Sequence, residues 1–171
     1  MDDIRYWVGL NLVPQIGSAR TALLVDYFGD VERAWNASAT SLRAAGLPQA
    51  AIERLLYYRA RLDLAAEMDR LATAGVKPLT WQSPDYPRLL RDIDHPPPVL
   101  YVKGELLAVD EWAVAVVGTR HASAYGKEAA RRLTRGLAEA GLTVISGLAL
   151  GIDGIAHQTA LEAGGRTLAV L

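Results

Sequence analysis

The chain has 171 residues, 51% of them hydrophobic, and a formal net charge of −1. That composition supports a packed core and excludes a disordered chain. The absence of cysteine excludes disulfides, thiolate catalysis and Cys-based zinc sites. No apolar run reaches the roughly 18 residues of a membrane span, so no membrane role is expected. The acidic start, MDDIRYWVGL, lacks a basic leader and cleavage pattern, and a cytoplasmic location is expected. Proteins that coat nucleic acid are normally basic, because phosphate contacts dominate affinity. Any nucleic-acid contact here must therefore be local.

Residues 1 to about 75 read as a helical domain. Asp2 or Asp3 is the expected cap of a first helix carrying Ile4, Trp7, Val8 and Leu10. PQIGSAR turns the chain at Gly17, with Ser18 as N-cap of a second helix whose Leu23, Leu24, Tyr27 and Phe28 have core-like spacing. Gly29 is the stop and Asp30 caps a third, short helix around Val31 to Trp35. Thr40 or Ser41 caps a fourth that ends at Gly46, and Pro48 opens a long helix toward Ala74, closed by Gly75. IGSARTALLVDYFGD resembles half of a helix-hairpin-helix, in which a glycine turn presents amides to DNA phosphate. A plain helical bundle is the alternative.

The pattern changes after Gly75. Val76 to Trp81 and Val99 to Val102 read as short strands, separated by a helical turn at Pro87 and the extended Pro96-Pro97-Pro98. From Trp112 the chain alternates strand, helix, strand, helix, strand, which is the logic of a parallel α/β sheet. Val114 to Val117 is the apolar run of a strand buried on both faces. Ser123 caps the next helix, with Leu133, Leu137 and Ala140 as its apolar face and Gly141 as its end. Thr143 to Ile145, Asp153 to Ala163 and Thr167 to Leu171 complete the series. The domains expected are 1–75 and 76–171, the second being the N-terminal part of a Rossmann-like domain.

The chemistry concentrates where two of these strands end. AVVGTRHASAYG and VISGLALGIDG each bring a glycine loop to a helix start. Ligands of parallel sheets sit at that edge, and free amides and helix dipoles there favour anions. Gly118, Thr119, Arg120, Ser146, Gly147 and Gly151 are the candidate phosphate-binding residues. Arg120 either grips phosphate through its planar fork or pairs with a carboxylate such as Asp153. Asp153 is read first as a local helix cap. Gly-x-Gly-x-x-Gly and Walker A loops are missing, so no cofactor is expected. Lys127, Arg131 and Arg135 form a basic stripe, read as a solvated face or a DNA contact. His95, His121 and His157 lack metal-ligand spacing, and Ser146, Asp153 and His157 are too close in sequence to imply a triad. Stacking platforms for bases are not evident, because Trp112 and Tyr125 are equally fit for the core.

DYPRLLRDIDHPPPVLYVKGEL, AVAVVGTRHASAYG and VISGLALGIDGIAHQTALEAGGRTLAVL, in that order, closely resemble the DNA-processing protein A family (DprA, also called Smf). The resemblance implies an α/β fold, with a SAM-like or helix-hairpin-helix-like all-α domain before an extended Rossmann-like parallel sheet. It implies non-catalytic binding of single-stranded DNA, a homodimer, and loading of the RecA recombinase during natural transformation. The family's phosphate pocket falls on Gly118, Thr119, Arg120, Ser146, Gly147 and Gly151. Where many members carry a basic residue, this chain has Leu150. The family continues beyond Leu171 with further strands, so the expectation is a chain truncated within the Rossmann-like domain, prone to self-association. The alternative is a nucleotide-binding enzyme similar to lysine-decarboxylase-like phosphoribohydrolases, whose PGGxGT motif is not found here.

Overall fold

The computed structural model describes residues 4–171. By compactness the chain divides into two units, the first running to Leu106 and the second from Leu107 to Leu171. The expected caps Asp2 and Asp3 lie outside the described residues.

The first unit holds helices α1 (Ile4–Asn11), α2 (Ser18–Phe28), α3 (Val31–Asn36), α4 (Ala39–Ala44), α5 (Gln49–Arg59) and α6 (Leu64–Thr73), then strand β1 (Val76–Thr80), the turn α7 (Arg88–Arg91) and strand β2 (Val99–Lys103). Trp7, Leu10, Leu24, Val31, Leu42, Ile52 and Leu55 form its core. Several ends follow directly from sequence. Gly29 stops α2 in the left-handed conformation, and Asp30 caps α3 by accepting from the Arg33 amide.

Other ends do not follow the expectation. The cap of α4 is Ser38, not Thr40 or Ser41, and it accepts from the Ser41 amide. The long helix expected from Pro48 to Ala74 is two helices, because Asp63 accepts from the Ala65 and Ala66 amides and starts α6 anew. Ser18 is the first residue of α2 rather than its cap; its hydroxyl donates to the Pro96 carbonyl. Leu23 and Tyr27, expected in the core, are exposed, while Leu24 is fully buried.

β1 and β2 pair antiparallel, Val76 opposite Lys103 and Thr80 opposite Val99. They belong with the helices: Val99 joins the helical core, and Trp81 meets Trp7 edge-on at 5.2 Å between ring centres. Asn11 also donates to the Tyr101 hydroxyl. Residues 76–106 therefore fall inside the first compact unit, beyond the boundary expected at 75.

The second unit opens with a 3-10 turn (Ala108–Glu111), followed by β3 (Ala113–Ala115), α8 (Ala124–Glu139), β4 (Thr143–Ser146), α9 (Ile152–Glu162) and β5 (Thr167–Ala169). The strands are parallel in the order β3-β4-β5. Two crossovers of the same hand in the same direction put α8 and α9 together on one face. Val144 lies on that face, packed with Ala138, Ala156 and Ala160. Alternation puts Ala115, Val117, Ile145 and Val170 on the other. Val114 to Val117 is thus not buried on both faces; Val114, Ala115 and Val117 are exposed. On α8 the buried stripe is Ala130, Thr134 and Ala138, one residue out of phase with the expected Leu133, Leu137 and Ala140. Leu133 and Ala140 are exposed, and only Leu137 packs partly on the core.

The amino edge of this sheet is braced by Asp110. Its carboxylate accepts from Arg166 at 2.6 and 2.8 Å and from the Thr143 hydroxyl at 2.9 Å. The Arg166 hydrogen bond, helped by the Leu107 amide and Thr143 and opposed by burial, holds the Asp110 carboxyl below its usual range.

Two outcomes are expected. A fragment ending at Leu106 unfolds cooperatively by near-ultraviolet circular dichroism, whereas one ending at Gly75, without Trp81 and Val99, has a lower thermal midpoint. Because the folded pKa of Asp110 is depressed, the unfolded chain takes up this proton first as pH falls. The contribution is complete above about 4, the usual carboxylate value, and is lost as pH drops through the lower folded value. Asp110→Asn is expected to cost roughly 1.5–3 kcal/mol at neutral pH and to flatten the acid limb of stability against pH in urea titrations.

Candidate nucleic-acid interface

The site is built where β3 and β4 end. The loop after β3 carries Gly118, Thr119 and Arg120 to Ser123, whose hydroxyl accepts from the Gly126 amide and caps α8. The loop after β4 carries Gly147 to Gly151, the N-cap of α9. Both helices therefore direct their positive dipole ends to this edge.

The two loops are locked by backbone contact. A Cβ on Gly151 would lie 2.4 Å from the Thr119 carbonyl oxygen and 2.7 Å from Arg120 Cα. One on Gly118 would lie 2.7 Å from Ile152 Cγ1. Gly151 also has φ 89°, which side chains resist. The Ile152 amide donates to the Thr119 carbonyl across the join, and the Thr119 hydroxyl accepts from the His121 amide. So the two glycines serve loop-on-helix packing as well as any ligand.

The remaining expected residues divide by environment. Arg120 is exposed and makes no ion pair or hydrogen bond with another described residue. The alternative pairing with Asp153 is not formed. The amides of Gly118, Thr119, Arg120, Gly147 and Leu148 likewise have no partner among the described residues. Ser146 is different: it is buried, and its hydroxyl donates to the Val116 carbonyl at 2.6 Å, bracing β4 to β3. Asp153 does not cap α9. It is buried, its Oδ1 has no partner, and its Oδ2 would lie 3.0 Å from a Cβ on Gly147.

His157 is buried below and hydrogen-bonds Thr167 at 2.7 Å. Thr167 gives its one proton to the Val144 carbonyl, so His157 donates through Nδ1. Ser146, Asp153 and His157 each look elsewhere and form no relay. Among the described residues no three acidic or histidine side chains gather as a metal site. In the basic stripe, Arg131 lies 3.6 Å from Glu128 and Arg135 lies 4.0 Å from Glu162. Lys127 is exposed.

Sequence reasoning missed two things at this edge: Leu148 has φ 55° without being glycine, and Ile152 fills the space beside Gly118. Of the two aromatic residues left open between core and stacking, Tyr125 is exposed here, and Trp112 is exposed at the opposite, amino edge of the sheet. The glycines signalled tight backbone, but nothing local identified their partners.

The arrangement offers an unpaired guanidinium, free amides and two helix N-termini on one strand-end surface. A family model described as DNA recombination-mediator protein A matches residues 77–171. The chain belongs to this family. The match takes in the β1–β2 pair as well as the parallel sheet. Among relatives of this DprA/Smf chain, Protein Smf of Synechocystis sp. is 35% identical over 97% of this chain and 43% of its own length. A putative DNA processing protein DprA of Mycobacterium tuberculosis is 36% identical over 98% and 45% respectively. The X-ray structure of DNA processing protein A from Streptococcus pneumoniae superposes with a TM-score of 0.77 at 26% identity, covering 99% of this chain and 58% of that one. The chain thus spans under half the length of these two curated relatives. No helix among the described residues is long and apolar enough to cross a membrane.

In this DprA/Smf chain the lock predicts a graded response. Gly151→Ala combines a disfavoured φ with overlap on rigid backbone, and is expected to destabilise the second unit by about 3 kcal/mol or more in chemical denaturation. Gly147→Ala meets the Asp153 carboxylate closely and the Val170 carbonyl only at ordinary contact distance, and is expected to cost roughly 1 kcal/mol.

Proposed function

We propose that the chain binds single-stranded DNA, without catalysing a reaction on it, as part of recombination mediation. The observation that carries this reading is Arg120: an exposed guanidinium with no partner among the described residues, on one of two interlocked loops that also carry unpaired amides. Arginine offers phosphate two parallel hydrogen bonds, and helix N-termini add favourable potential. Gly118, Thr119, Gly147 and Gly151 shape the backbone around it, while Ser146 contributes through its place in the strand rather than through its hydroxyl. The relatives named as DNA processing proteins support a DNA partner. A homodimer and delivery of the strand to RecA, in the cytoplasm during natural transformation, complete the reading for the longer family protein.

The test is fluorescence anisotropy with labelled oligo(dT) over a salt series. Arg120→Ala is expected to weaken binding about 10- to 150-fold, the worth of a hydrogen bond to a charged group. The slope of log affinity against log salt should become shallower by about 0.7, one phosphate on a single strand. Arg120→Lys should recover only part of the affinity, since the planar fork is lost. Unchanged affinity and slope in Arg120→Ala would make the arginine structural and the reading wrong. Tighter binding of nucleoside monophosphates than of oligo(dT) would favour the enzyme alternative.

A further inference from the structure

Around Arg120 the fold leaves large apolar side chains that pack on little. Tyr125, in the first turn of α8, is 84% exposed, and Leu148 and Leu150, in the loop after β4, are 56% and 82% exposed. Single exposed leucines are ordinary on protein surfaces. Three such groups on the same strand-end edge as one unpaired cation are not ordinary. Side chains in a helix lean toward its N-terminus, so the Tyr125 ring leans toward this edge. It makes no ring contact or hydrogen bond with another described residue.

Leu148 carries the sharper signal. At φ 55° its Cβ crowds the following carbonyl, a conformation in which glycine is at ease. The same loop uses glycine on either side, at Gly147 and Gly151. A leucine that strains the backbone and still leaves over half its surface in water returns little to the fold.

We infer that Tyr125 and Leu148 form a platform for nucleobases of the strand whose phosphate meets Arg120. The inference rests on the phosphate reading above and adds selection of single strands to it. Unpaired bases expose apolar faces that stack on aromatic and aliphatic groups, whereas a duplex buries those faces within itself. The net charge of −1 makes the same point from the other side. Backbone attraction alone is weak for such a protein, so contacts to bases must carry part of the affinity.

The experiment uses the 171-residue chain with oligo(dT) and an abasic oligomer of equal phosphate number. The wild type should bind oligo(dT) more tightly than the abasic strand. Tyr125→Ala should lose about 5- to 150-fold on oligo(dT), the range for one stacked base, with the salt slope and abasic binding unchanged. Tyr125→Phe should retain affinity. Leu148→Gly should weaken oligo(dT) binding while its thermal midpoint stays level or rises, the reverse of what a structural leucine would show. If Tyr125→Ala and Leu148→Gly bind oligo(dT) as the wild type does while Arg120→Ala weakens both oligomers, the platform is refuted and the phosphate site stands. Loss of stability together with binding in Leu148→Gly would refute the leucine's part. An Arg120→Ala chain unaltered on both oligomers, or a wild type that binds neither, would overturn the phosphate reading and the platform with it.

Discussion

Everything proposed for the second unit depends on one contact: the backbone of Thr119 and Arg120 lying against Gly151, closer than any side chain permits. Gly118 repeats the device from the other side by accepting Ile152. A strand-end loop is ordinarily the most mobile part of an α/β fold. Here each loop is held by the other, and the Ile152 amide closes the join on the Thr119 carbonyl. Arg120 is thus presented on rigid backbone although its own side chain makes no hydrogen bond or ion pair with a described residue. That lowers the ordering cost of gripping an anion.

The two edges of the same short sheet are built on opposite terms. At the amino edge Asp110 meets Arg166 and Thr143, so charge is matched by charge and strand starts are tied together. At the carboxyl edge amides and a guanidinium have no hydrogen-bond partner among the described residues, and several apolar side chains are exposed. Asp153 sits within this edge as a buried carboxylate with an unpartnered oxygen. It lies in the first turn of α9, where the helix dipole favours negative charge. The same dipole would serve a phosphate.

What could be read from sequence followed the range of the forces involved. Gly29, Asp30, Ser123 and Gly141 mark helix ends by chemistry confined to a few residues, and each acts as its type suggests. The strand–helix alternation after Trp112 was legible for the same reason. Where competing local signals lay close together the reading slipped: Ser38 displaced Thr40, and Asp63 broke a helix whose apolar period ran on past it. Burial was least legible, because it depends on what covers an element. Val114 to Val117 has the composition of a fully buried strand, yet both helices lie on one face of the sheet. Likewise α8 buries Ala130, Thr134 and Ala138 rather than its larger leucines, because it packs closely on α9. In the site, the glycines were visible but the reasons for them were not. They are contacts across about thirty residues of chain, roughly the span of a βαβ unit, and no local pattern encodes them.

The most direct test of this account is amide chemical-shift mapping of the isotope-labelled chain titrated with oligo(dT). The unpaired amides should respond first, with the largest changes at Gly118, Thr119, Arg120, Gly147 and Leu148 and little change at the amino edge around Asp110. Changes confined to the first unit, for example at the Gly17 turn that opens α2, with the strand-end loops unaffected, would contradict it.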